Sequence, residues 1–156
     1  MSELDILYHD LILDHASNPR NVGKLVPACG SALGNNPMCG DRIKVTVQLK
    51  GELVEAIRFE GYGCAISKAS ASCMTELVSG RTIVEALSLV ERFQCVLTGN
   101  QDQSDNLPEE VMAFSGVSKF PMRVKCATLA WHALKDALAN RSELGDSQHD
   151  ENPKDS

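Results

Sequence analysis

With 156 residues, 43% of them hydrophobic and 23% charged, the chain can build one domain with its own apolar core and needs neither disulfides nor metal merely to fold. A formal net charge of −6 and the lack of any Lys/Arg-rich run exclude the clustered basic face of a nucleic-acid binder. Met1-Ser2-Glu3-Leu4-Asp5 has neither the basic nor the apolar region of a signal peptide, and no apolar run approaches the ~18 residues of a membrane span. The expected location is the cytoplasm, with no membrane partner.

The helical spacing of Leu4, Leu7, Tyr8, Leu11 and Ile12 predicts a first helix over 4–16, ended by the turn formers Asn18-Pro19-Arg20-Asn21. A long loop punctuated by Gly and Pro is expected from there to Asp41. Ile43, Val45, Val47 and Leu49 alternate with Arg42, Lys44, Thr46 and Gln48, which predicts a half-buried strand. Lys50-Gly51-Glu52 turns the chain into an antiparallel partner over 53–60, where the alternation is less clean.

After Gly61-Tyr62-Gly63, a helix is predicted over 66–79, burying Ile66, Ala69, Cys73 and Leu77 and stopping at Gly80. Thr82 and Glu85 form a capping-box pattern ahead of a helix over 83–97 that buries Leu87, Val90 and Leu97. Gly99 to Asn106 is polar, Pro108 suits the start of a short helix, and a last helix over 122–141 places Val124, Ala127, Trp131, Leu134 and Leu138 on one stripe. The tail 142–156 is polar and expected to be disordered. The fold class is α+β: one domain over 1–141, a small antiparallel sheet covered by helices.

In a reducing compartment, spaced cysteines point to metal or thiol chemistry rather than disulfides. No Cys-x-x-Cys pair is present, so neither a zinc ribbon nor a thioredoxin-type motif is supported. Cys39 lies in Asn36-Pro37-Met38-Cys39-Gly40-Asp41, where the glycine gives a thiolate and a carboxylate freedom to face one centre. Cys64 precedes one predicted helix and Cys126 lies in the first turns of another, positions that favour the thiolate. Taken singly, each reads equally well as a small buried hydrophobe; together they read as a shared metal site. Cys73 and Cys95 are expected in the core. Cys29, in the loop beside Gly30, is ambiguous, an exposed bystander thiol being one reading, and is given no role. His9, His15 and His132 read as surface, interface or packing residues rather than ligands.

These segments resemble the U-type iron–sulfur cluster assembly family, the group of IscU, SufU and the NifU N-terminal domain. The likeness runs from Leu4 to about Leu138. It is carried by Leu7-Tyr8, Asp14-His15, Asn18-Pro19-Arg20, Asn36 to Asp41, Gly61 to Ser67, Ala69 to Ser72 and Arg123-Val124-Lys125-Cys126-Ala127. Lys125 stands where IscU-type members carry histidine, and the extra stretch from Gly99 to Ser118 is similar to the SufU branch. The resemblance implies a NifU/IscU-like (SufE/NifU) fold of about three strands against helices. It also implies a zinc site made by Cys39, Asp41, Cys64 and Cys126.

On the same grounds Cys39 is expected to accept sulfur from a SufS-type pyridoxal-phosphate cysteine desulfurase and pass it to a SufBCD-like assembly complex. Arg123, with Lys125, reads as holding the charge of the transferring sulfur or as a solvated residue near a helix start. The alternative is an IscU-like scaffold that assembles a [2Fe-2S] cluster, or holds iron, on the same ligands. A purely structural zinc is the third reading.

Overall fold

The computed structural model describes residues 9–99 and 107–141. In chain order they form α1 (Asp10–Ser17), β1 (Gly30–Asn36), β2 (Asp41–Lys50), β3 (Leu53–Tyr62), α2 (Ala65–Val78), α3 (Ile83–Leu97), α4 (Glu109–Met112), a 3-10 turn (Ser115–Lys119) and α5 (Pro121–Ala139). The strands make one antiparallel sheet in the order β1-β2-β3. Helices α5 and α2 pack on it, α1 lies on α2, and α3 lies on α5, so the α+β class is as expected. Residues 1–8, 100–106 and 142–156 lie outside the described residues, and with them the start of the first expected helix, most of the polar stretch and the tail. No helix among the described residues is long and apolar enough to cross a membrane.

The alternation of β2 buries Ile43, Val45 and Val47 completely and leaves Arg42 exposed. Across the ladder Gly30 faces Val47, Ala32 faces Val45, Gly34 faces Ile43 and Asn36 faces Asp41. Directly opposite residues share a face of the sheet, so all eight belong to one helix-covered row. Helix α5 crosses it closely. A Cβ on Gly30 would come 2.2 Å from the Ala137 carbonyl oxygen, and one on Gly34 would come 3.1 Å from the Leu129 side chain.

That contact accounts for the main correction to the sequence reading. The expected loop from Asn18 to Asp41 contains a strand, β1, whose composition (Gly, Ser, Ala, Leu, Gly, Asn, Asn) shows no apolar alternation because the helix above leaves no room for large side chains. The free edge of β3 is closed by the segment after α1: Gly23 N–H donates to Phe59 O (2.7 Å) and Phe59 N–H to Asn21 O (3.1 Å). A register shift at Gln48/Leu49 explains the imperfect alternation of β3.

Thr82 and Glu85 form the expected capping box, each side chain accepting the other's backbone N–H (3.1 and 3.0 Å). Leu87, expected to be buried, is only half-buried because it sits at the margin of the face of α3 that packs inward. Trp131 of α5 stacks on Phe93 of α3, with centroids 4.5 Å apart, and Phe114 meets Phe93 edge-on. One turn of α5 beyond Cys126, the Trp131 indole N–H donates to Ser70 Oγ, which itself donates to the Ala127 carbonyl. These bonds tie α2 to α5.

His9 is exposed, but His15 is not a surface residue: it is buried between α1 and α2 with Nδ1 2.7 Å from Ser72 Oγ. The same hydroxyl accepts the Arg20 N–H, which pins α1 and its exit turn to α2. Burial, then the Arg20 charge, lowers the His15 pKa from its ordinary 6.5. The fold therefore holds the ring neutral, whereas the unfolded chain takes up a proton as pH falls below ~6.5. Stability is unaffected above that value and is lost below it, down towards the folded pKa. Thermal melts from pH 7 to about pH 5 should show Tm falling, with His15→Gln reducing the slope; equal slopes would refute this assignment.

Candidate metal centre

Strands β1 and β2 are joined by a four-residue tip, Pro37 to Gly40. The Asn36 carbonyl accepts the N–H groups of Cys39 (3.1 Å) and Gly40 (2.9 Å), and Gly40 takes φ +77°, a left-handed conformation that favours glycine. This turn holds Cys39 half-buried, with its sulfur 3.4 Å from that of Cys126.

Asp41 is not a loop residue. It opens the buried row of β2 and is 1% exposed, a position where a carboxylate requires partners. Its Oδ1 accepts the Cys64 N–H at 3.1 Å. Cys64 is the N-cap of α2, its sulfur 3.5 Å from the Ser67 N–H. Helix α2 has no acidic residue in its own first turn, so Asp41 supplies from the sheet the negative charge that a helix start attracts. Gly63 permits the approach: a Cβ there would lie 3.0 Å from both Asp41 Oδ1 and Ser67 Oγ. The second oxygen, Oδ2, lies 4.0 Å from Cys64 Sγ.

Cys126 is fully buried, the sixth residue of α5. Burial, then the Cys39 thiol, then the charges of Cys64 and Asp41 push its thiol far above the usual range. This reverses the expectation of a helix-start thiolate, since the dipole effect fades beyond the first turn and desolvation wins. Such a corner, rich in acidic groups of one sign, is stabilised by a cation, which restores the thiolate.

One ligand atom from each of Cys39, Asp41 and Cys126 lies within 4.8 Å of the others. Cys64 joins through Asp41 rather than lying within that mutual distance of both other sulfurs. Tetrahedral zinc with Zn–S of ~2.3 Å and Zn–O of ~2.0 Å needs S···S of ~3.8 Å and S···O of ~3.5 Å. The observed 3.4 and 4.0 Å each differ from these by about half an ångström, within reach of side-chain adjustment. The donor set fits zinc.

The remaining cysteines stand apart. Cys29 is buried rather than a bystander on the surface, its sulfur accepting the Leu49 N–H at 3.2 Å. Cys73 is in the core, its thiol pushed up to about 12 by burial. Cys95, expected in the core, is half-buried on the side of α3 that leaves the packed face. Arg123 lies in the first turn of α5, its N–H donating to Phe120 O, and Lys125 is exposed on the next turn. His132 is exposed and meets Gln94. Two polar residues that the sequence named only as members of family-like segments, Asn36 and Ser67, are buried beside Asp41. Their part in the site is unreadable until the apolar face they share is known.

Residues 7–143 match the family described as NifU-like N terminal domain. The chain is 48% identical over 139 residues to the zinc-dependent sulfurtransferase SufU of Bacillus subtilis, covering 88% of this chain and 93% of that protein. It is 41% identical over 149 residues to the iron–sulfur cluster assembly scaffold protein IscU of Streptococcus pyogenes, covering 94% and 93%. Among solved structures, that of FiSufU from Fervidobacterium islandicum superposes with a TM-score of 0.81. It shares 33% identity and covers 88% of this chain and 99% of that one. By both sequence and fold, the chain belongs to the family of NifU-like N-terminal domains.

Proposed function

We propose that this protein is a zinc-dependent sulfur acceptor of iron–sulfur cluster biogenesis. In this reading Cys39, Asp41, Cys64 and Cys126 hold the ion. Cys39 takes sulfur from a SufS-type pyridoxal-phosphate cysteine desulfurase and passes it to a SufBCD-like assembly complex. The observation that carries the reading is the meeting of Cys39, Asp41 and Cys126 from a hairpin tip, a strand and a remote helix. The name of the Bacillus subtilis relative supports it, as does Lys125 at the position before the third cysteine.

Bound zinc supplies the positive charge that keeps the thiols deprotonated at neutral pH, without redox chemistry of its own. The Cys39 thiolate attacks the outer sulfur of the desulfurase persulfide. A sulfur–sulfur bond forms on Cys39 as the one on the partner breaks, and the partner's cysteine leaves as a thiolate, so charge and electrons balance. Cys39 presents its sulfur from a turn at the hairpin tip, half-buried rather than enclosed. Arg123 is assigned to the charge of the travelling sulfur. Met38, Tyr62 and Met122, 70%, 62% and 48% exposed, each come from a segment adjoining a proposed ligand and give the partner an apolar rim to dock on.

Metal analysis of the purified protein combined with a cysteine desulfurase assay tests the reading. Colourless, zinc-loaded protein that speeds alanine release is the expected result; brown, iron-loaded protein without that effect would favour the scaffold. Asp41→Ala should keep its circular dichroism spectrum but lose zinc to a chelator at least about tenfold faster, since even a residue behind a ligand is commonly worth that much. Global unfolding of this variant would argue for a structural zinc instead.

A further inference from the structure

Beside the Asp41 carboxylate, two buried polar atoms have no hydrogen-bond partner among the described residues: Ser67 Oγ and Asn36 Nδ2. Ser67 is 1% and Asn36 7% exposed, so bulk solvent does not reach either group. A buried donor without an acceptor is destabilising, and native structures keep few of them.

Both groups flank the same residue. Asn36 is the ladder partner of Asp41, on the same helix-covered face. Ser67 Oγ and Asp41 Oδ1 each lie 3.0 Å from the point a Gly63 Cβ would occupy, so a side chain at Gly63 would crowd both the hydroxyl and the carboxylate. The Ser67 backbone N–H is already directed at Cys64 Sγ, and the Cys64 N–H at Asp41. These N–H groups thus gather around Asp41 and Cys64, while the Cys39 and Cys126 sulfurs lie 3.4 Å from each other.

Charge explains why donors belong there. Three thiolates and a carboxylate carry about four negative charges, of which a divalent ion offsets about two. The excess, in a buried corner, has to be met by hydrogen-bond donors behind the ligands. A hydroxyl and an amide suit that task, and neither is a usual zinc ligand beside thiolates.

We propose that Ser67 and Asn36 are positioning residues of the metal centre, donating to the Asp41 and Cys64 ligands of the zinc-loaded site and setting how firmly the carboxylate is held. The inference rests on the reading above that these residues ligate zinc. It assigns Ser67 and Asn36 no contact with sulfur in transit.

The test uses the full chain in two measurements: zinc affinity by competition with a chromophoric chelator, and Tm of the metal-free protein. Ser67→Ala should weaken zinc binding about 10- to 100-fold, the usual cost of losing a group behind a metal ligand. Its metal-free Tm should be unchanged or raised, because an unsatisfied buried hydroxyl has been removed. Ser67→Thr, which keeps the hydroxyl, should stay within about threefold of wild type, and Asn36→Ala should lose about tenfold. A packing role alone would lower the metal-free Tm and leave the affinity of the folded protein unchanged. That pattern, or wild-type affinity in both alanine variants, overturns the inference and leaves the zinc reading standing. A wild-type protein that binds no zinc overturns the reading itself, and the inference with it.

Discussion

Replacing Cys39 by alanine should reduce the stimulation of a cysteine desulfurase to the rate of the desulfurase alone. The expectation follows from position as much as chemistry. Of the four proposed ligands, Asp41 is locked into a strand, Cys64 caps a helix and Cys126 lies buried within another. Cys39 and Cys64 are both half-buried, but only Cys39 sits on a hairpin turn, where a partner's persulfide can reach it, rather than in a strand or at a helix cap. Removal of the thiol on the turn eliminates the acceptor rather than slowing it, because the Cys64 sulfur is held at a helix cap by the Ser67 N–H and does not take its place.

Cys95→Ala is the matched control: a half-buried thiol on α3 with no place in the cluster, whose loss should leave stimulation at the wild-type level. Alanine release measured with excess cysteine, with and without each variant, gives the comparison. Stimulation by Cys39→Ala equal to wild type would refute the acceptor assignment. The docked protein would then act on the desulfurase in some other way.

The second large effect is expected far from the sulfur chemistry. Gly30→Ala places a Cβ 2.2 Å from the Ala137 carbonyl oxygen and 3.2 Å from its carbon, both of them backbone atoms of α5. Backbone cannot rotate aside as a side-chain tip can, so β1 and α5 must separate along their contact. Forced overpacking of this kind costs roughly 1–3 kcal/mol or more, a large share of the ~5–15 kcal/mol that holds a domain together. At ~2–4 °C per kcal/mol for a chain of this size, Tm should fall by about 2–12 °C. Urea unfolding should show a lower midpoint with an unchanged slope. A shift below about 0.5 kcal/mol would mean that α5 slides outward freely, and that the Gly-rich composition of β1 has another cause.

This contact also separates what was legible in the sequence from what was not. Helix α3 could be bounded at both ends because Thr82 and Glu85 state its start and Leu97 is followed by Thr98 and Gly99. Strand β2 announces itself through Ile43, Val45 and Val47, whose burial is local arithmetic on a period of two. Strand β1 obeys a different constraint. Its residues were selected by the helix lying on them, and that helix is about a hundred residues away in the chain.

The same distinction holds at the candidate site. Cys39, Asp41, Cys64 and Cys126 could be named because Cys-Gly-Asp and the helix-start cysteines are distinctive local contexts. The thiol chemistry of Cys126 could not be read, since its burial by the sheet reverses what its place near a helix start suggests. Asn36 and Ser67 were legible as members of family-like segments but not as groups of the site: an asparagine before proline and a serine in a Ser/Ala-rich helix are ordinary until their neighbours are known. His15 misled in the same way, its partner Ser72 being fifty-seven positions distant.

The four-residue hairpin between Asn36 and Asp41 divides labour within the molecule. The ladder pairs, the helix crossings and the aromatic stack lie behind it, and the tip that bears Cys39 is anchored at both ends by the strand pair it connects. Cargo loaded at that apex could change hands without disturbing the hydrophobic interior, so delivery and structural integrity can be altered independently by mutation.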